Sequence, residues 1–168
     1  MYNRINILGS DRMGKMSYIS NIEEWQSSFS FNITIKVRFN ETDMFGHMNN
    51  TVPFTYFEEA RIEYLKHLGF MQEWVSLDSE VIPVVADLQC DFLQQVYFDD
   101  KIDVFVKVNS IGNSSIDVHY MGVNENGMVC FTGRNSLVNL NRKTGRSEKW
   151  KTEWKEKLEN ELNVAQKV

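Results

Sequence analysis

The chain has 168 residues, of which 42% are apolar and 12% aromatic, and a formal charge of −5. That length favours one domain with enough apolar mass to fill a core, and the aromatic content excludes a compositionally disordered chain. The acidic balance argues against nucleic-acid binding, which needs a basic face to displace counterions from phosphates.

Cys90 and Cys130 lie in strand-like stretches with no CxxC spacing and no histidine beside them, so they read as reduced, partly buried thiols. Met1 to Ser30 lacks the basic start, apolar run and small-residue cleavage site of a leader. No stretch reaches the roughly 18 apolar residues of a membrane span, so a cytoplasmic setting without membrane partners is expected.

Residues 1–28 are polar and sprinkled with Gly, Ser and Asn, and are expected to form a loosely held N-terminal extension. From Phe29 the chain alternates: Phe29, Phe31, Ile33, Ile35, Val37 and Phe39 share one parity, with polar residues between them. That period of two predicts a half-buried strand. Asn40 to Asn50, with Gly46 inside it, breaks the pattern and predicts a loop.

A helix follows over about 53–68. Asn50 or Thr51 is placed to cap it, and Pro53 suits a first turn in which a missing N–H costs nothing. Phe54, Phe57, Arg61, Tyr64, Leu65 and Leu68 recur at three-and-four spacing. Gly69 supplies a left-handed stop behind Lys66 and His67.

Strands are predicted over 81–92, 101–108, 115–123 and 128–141, separated by short polar turns. Trp150 to Leu162, within a C-terminal helix and tail over 148–168, predicts a charged surface helix with Trp154, Leu158 and Leu162 four apart. Consecutive strands on short turns imply antiparallel pairing, and one apolar helix against such a sheet is an α+β architecture. The core domain spans 29–147.

Chemistry concentrates at Asp43-Met-Phe-Gly-His-Met-Asn-Asn50, between a strand and a helix start. The first N–H groups of a helix lack internal partners and carry the positive end of its dipole, so they can stabilise an oxyanion. A nearby carboxylate can attack the same carbonyl or activate a water. His47, Asn49 and Asn50 add polar groups that can orient either. The same residues read equally as a turn that leaves a strand and caps a helix.

Arg38 to Asn50, followed by Tyr56-Phe-Glu-Glu-Ala-Arg61, resembles the 4-hydroxybenzoyl-CoA thioesterase-like branch of the hotdog superfamily. Asp91 to Asp100, Ile111-Gly-Asn-Ser-Ser115 and Leu140 to Arg146 extend the resemblance across about 29–146. It implies a hotdog fold, a long central helix packed against a curved antiparallel sheet, assembled as a homodimer or homotetramer with the site at the subunit interface. It implies hydrolysis of an acyl-CoA, or alternatively an acyl-ACP, with CoA as part of the substrate and no cofactor or metal. A non-catalytic acyl-thioester-binding protein of the same fold is the further alternative.

The resemblance assigns Asp43 as nucleophile or general base, and the amides near Asn50 and Thr51 as carbonyl polarisers. His47 and Asn49 match positioning residues, while Phe54, Phe57 and Glu58 line the helix side of the substrate. Apart from the resemblance, Lys107, Arg134, Arg142, Lys143 and Arg146 are the cations available to meet CoA, with Arg134, between Gly133 and Asn135, the first candidate. The chain departs from the family at Pro53, often Tyr, at Gln94-Gln95, often Arg-Pro, and at Asn141, often Asp. Outside the resemblance, Glu58 and Arg61 at i+3 read as a helical ion pair, and His119 as a strand-surface residue.

Overall fold

The computed structural model describes residues 16–165, with side chains to Leu162. Its elements in order are helix α1 (Ile22–Ser27), strand β1 (Phe31–Lys36), a short 3-10 turn (Phe39–Glu41), helices α2 (Val52–His67) and α3 (Met71–Trp74), strands β2 (Val81–Val85), β3 (Gln89–Phe92), β4 (Lys101–Ile111), β5 (Ser115–Asn124) and β6 (Val129–Asn141), and helix α4 (Thr152–Ala165).

The sheet is antiparallel throughout and ordered β1-β4-β5-β6-β2, with β3 also pairing β6. The strand expected over 81–92 is thus two shorter strands laid end to end along β6. The break has a local cause. Asp87 Oδ1 accepts the Ser136 N–H at 2.8 Å, so a side chain takes over a ladder bond that backbone would otherwise supply.

One face of the sheet carries Ile102, Val104, Val106, Ile116, Val118, Tyr120 and Phe131, all buried, and α2 lies across it. Phe57 of α2 stacks on Tyr120 with ring centroids 4.4 Å apart. Its ring fills the space above Gly133, where a Cβ would come within 2.4 Å of it. The buried face of α2 is Pro53, Tyr56, Phe57, Ala60, Tyr64 and Leu65, so Tyr56 and Ala60 join the expected stripe and Phe54 stays half-buried. Gly69 adopts φ +80°, the left-handed stop the sequence predicts. Trp154 and Leu158 of α4 are buried, with Trp154 edge-on to Phe70 and Trp74.

The opposite face is covered by the N-terminal extension. Where a loose segment was expected, Met16, Ile19 and Trp25 pack with Leu93 and Met121 into a second core, joined by Phe29, Phe105, Val123 and Val129. Asn21 caps α1, its Oδ1 accepting the Glu23 and Glu24 N–H groups. The earlier part of the extension, 1–15, lies outside the described residues. Beneath this cover sits His119, fully buried rather than on the surface.

Candidate active site

Residues 41–49 form a small hairpin. The Asn49 N–H donates to Glu41 O at 2.8 Å, Thr42 bridges Met48, and the Asp43 N–H donates to His47 O at 2.8 Å. The turn at its tip closes at Gly46, whose φ of +80° is the left-handed conformation that glycine adopts without a Cβ penalty. The hairpin is stitched to the segment after β3: the Met48 N–H donates to Val96 O at 2.7 Å, and His47 bridges Tyr97.

Asp43 sits half-buried at the inner end of this turn. Its Oδ1 accepts the N–H of Phe45 at 2.8 Å and of His47 at 3.2 Å. Both readings of the motif therefore meet in one residue: one carboxylate oxygen braces the turn, while Oδ2 takes no hydrogen bond from the described residues. A carboxylate held by one oxygen keeps a fixed direction for the other, which suits proton abstraction or attack.

The His47 ring stands edge-on to Tyr97 with centroids 5.2 Å apart. His47 and Met48 form one wall of a mostly apolar cleft of about 210 Å³, and residues 92–96 form the other. Gln94 and Gln95, which replace the frequent Arg-Pro of the family, lie in that wall.

The helix cap differs from expectation. Thr51 is the N-cap residue but makes no side-chain cap, and Asn49 Oδ1 instead accepts the Thr51 N–H at 3.1 Å and the Thr51 hydroxyl at 3.2 Å, a turn that leads into the helix. The Asn49 carbonyl also accepts the Val52 N–H at 3.0 Å. Of the two amides expected to polarise a carbonyl, that of Thr51 is therefore occupied. The Asn50 N–H has no acceptor among the described residues.

The other candidates are dispersed. Phe57 is fully buried in the core, Phe54 is half-buried and edge-on to it, and Glu58 is exposed on α2. No Glu58–Arg61 pair forms among the described residues; Arg61 instead reaches the Tyr120 hydroxyl at 3.3 Å. A buried acceptor draws the guanidinium inward more strongly than an exposed i+3 carboxylate does. Arg134 lies on the outer face, donating to Asp117 Oδ1 at 2.7 and 2.9 Å and to Asp87 Oδ1 at 3.5 Å.

One residue the sequence reading passed over is Glu41. Its Oε2 accepts the Tyr56 hydroxyl and the Arg38 N–H, each at 2.7 Å. Burial, and then the bond to Glu41, push the Tyr56 phenol above its ordinary range, which keeps it a donor. The signal in the sequence was a carboxylate two residues before Asp43 in a loop that must dock on a helix.

Cys90 and Cys130 are not joined in a disulfide, and burial pushes the Cys90 thiol up to about 12. No described helix is long and apolar enough to cross a membrane. Among the described residues no three His, Cys, Asp or Glu side chains gather as a metal site.

Comparison with known proteins identifies the family. The family model of the thioesterase-like superfamily matches residues 37–158. The uncharacterized protein YsmA of Bacillus subtilis is 46% identical over 136 residues, covering 81% of this chain and 90% of YsmA. The acyl-CoA thioesterase YbgC of Haemophilus influenzae is 28% identical over 86 residues, 51% of this chain and 63% of YbgC. A Thermus thermophilus thioesterase solved with coenzyme A and zinc superposes with a TM-score of 0.68 at 26% identity, covering 81% of this chain and 97% of that one. With a helix laid across a curled antiparallel sheet and the family match spanning most of its length, the chain belongs to the thioesterase-like superfamily and is a thioester hydrolase of the hotdog fold.

Proposed function

We propose that the protein hydrolyses the thioester of an acyl-CoA, with Asp43 as the reacting carboxylate. The observation that carries this reading is the division of labour within Asp43, one oxygen fastened by two backbone N–H groups and the other taking no hydrogen bond from the described residues, in a turn whose His47 lines an apolar cleft. Oδ2 takes a proton from water as the water oxygen attacks the thioester carbon. The Asn50 N–H, at the start of α2, faces the developing oxyanion. The carbon–sulfur bond then breaks, and the CoA thiolate leaves and recovers the proton. In direct attack the same Oδ2 would form an acyl anhydride, which hydroxylamine traps during a single turnover.

The acyl group takes the cleft between His47 and residues 92–96. CoA as carrier is supported by the acyl-CoA thioesterase YbgC and by the coenzyme A in the Thermus protein. Phe39, Met44, Phe45 and Phe98 leave apolar surface around the site, and a second copy covering it fits a homo-oligomer.

The test is thiol release from acetyl-, hexanoyl- and benzoyl-CoA by the wild type and Asp43→Asn. The amide keeps an oxygen for Phe45 and His47 but cannot take a proton. Turnover is expected to fall by about 100-fold or more while the fold persists. Undiminished turnover in a folded Asp43→Asn protein removes Asp43 from the mechanism. The same assay on acyl-ACP separates the carriers.

A further inference from the structure

We infer that Glu41 is a positioning residue for Asp43, the link that sets the catalytic hairpin in register with α2; this rests on the role proposed for Asp43. Glu41 belongs to three structures at once. Its carboxylate accepts the backbone N–H of Arg38 at the end of the β1 segment and the hydroxyl of Tyr56, one turn into α2. Its carbonyl accepts the N–H of Asn49, the residue whose side chain and carbonyl bond Thr51 and Val52 at the start of that helix.

The bonds close a ring, from Tyr56 through Glu41 and Asn49 to Thr51 and Val52 and back along α2. Asp43 projects from this ring two residues beyond Glu41. The Glu41 side chain is 12% exposed, and the Arg38 guanidinium lies 3.7 Å from its other oxygen, so both lobes of the carboxylate are engaged. The Tyr56 ring is itself buried at 1% exposure, which fixes the anchor to the core.

The arrangement has a direct kinetic consequence. The backbone bonds inside the hairpin hold Asp43 relative to its own turn, but they do not set its distance from the α2 N-terminus. The Glu41–Tyr56 bond adds a direct tie to α2, beside the stitch of Met48 and His47 to the segment after β3. Loss of the Glu41 side chain leaves the turn intact and lets it move as a unit against the helix. A shift of that kind weakens the transition state far more than ground-state binding of a bulky CoA ester.

The experiment compares Glu41→Ala, Tyr56→Phe, the double variant and Glu41→Gln in the full chain. Thiol release from the three CoA esters is measured together with amide exchange over residues 41–49. Glu41→Ala is expected to lose about 100-fold in kcat with KM little changed, and the double variant to lose no more than Glu41→Ala alone. Glu41→Gln, which keeps an acceptor for Tyr56 and Arg38, is expected to recover most of the loss. In an Asp43→Asn background, Glu41→Ala is expected to add nothing.

An unchanged kcat in folded Glu41→Ala, or losses that multiply in the double variant, overturns the inference. If the wild type turns over none of the esters, the acyl-CoA reading fails by itself. Amide exchange then decides for Glu41: faster exchange over 41–49 in Glu41→Ala supports the brace, and unchanged exchange refutes it.

Discussion

The indole N–H of Trp25 donates to Nδ1 of His119 at 2.8 Å, and Nε2 of the same ring faces Asp117 Oδ2 at 2.8 Å. Because the indole can only donate, Nδ1 accepts, and the ring proton sits on Nε2 toward the carboxylate. Burial pushes the His119 pKa down, against the pull of Asp117. The Asp117 carboxylate is opposed by its own burial, yet the bonds from His119 and Arg134 outweigh that and hold it below its ordinary value.

A depressed histidine pKa means that the stability it supports is fully present above the ordinary histidine value and is lost as pH falls through the folded one. Protonation also sets a second N–H against the Trp25 indole. Acidification is therefore expected to loosen α1 from the outer face at a cost of about 1–3 kcal/mol, that of an unpaired buried donor. Urea unfolding from pH 7 to pH 5 checks this: the wild type should lose more stability than His119→Gln, and equal slopes refute it.

Lys107 is buried at 9% exposure on the same face, bonded to the Ser28 hydroxyl and set over the Phe29 ring at 4.9 Å. Burial pushes its pKa down to about 8, with Glu24 opposing. The folded state thus holds this proton less tightly than the unfolded chain, and stability climbs as pH rises from about 8 toward the ordinary lysine value. Lys107→Met is expected to gain roughly 1 kcal/mol at neutral pH and to lose that alkaline rise. Denaturation curves at neutral and alkaline pH measure both; a variant less stable than the wild type at neutral pH contradicts the expectation.

Gly133 tests how closely α2 approaches the sheet. An added Cβ would meet the Phe57 ring at 2.4 Å and the Gln89 carbonyl at 2.7 Å. Gly133→Ala is expected to cost about 1–3 kcal/mol by overpacking. Phe57→Leu introduced with it should relieve the ring clash but not the backbone one, so the double variant should lose less than the sum of the singles. Strict additivity in urea unfolding would show that ring and glycine do not share the space.

The contrast between β1 and β2–β3 shows what the sequence could reveal. Alternation from Phe31 to Ile35 and the Pro53-to-Gly69 span of α2 are local patterns, and the chain folds as they read. The division of 81–92 depends on Asp87 finding an N–H forty-nine residues away, and the burial of His119 on an indole ninety-four residues earlier. Neither partner leaves a periodic trace. The site divides in the same way. The place of Asp43 in a loop before a helix was legible, whereas the bonds of Asn49 to Thr51 and of Glu41 to Tyr56 arise only when the loop folds back on itself.

Main-chain bonds fasten Asp43 from within its turn, yet the tip of that turn points outward, with Met44 at 90% and Phe45 at 68% exposure. The braced carboxylate and the apolar tip beside it are thus independently variable parts of a nine-residue unit. Side chains at 44 and 45 can therefore change at small cost to folding, because the bonds that hold Asp43 come from the backbone of the turn. Sequence drift at the tip and constancy of the carboxylate's setting are compatible within the same short hairpin.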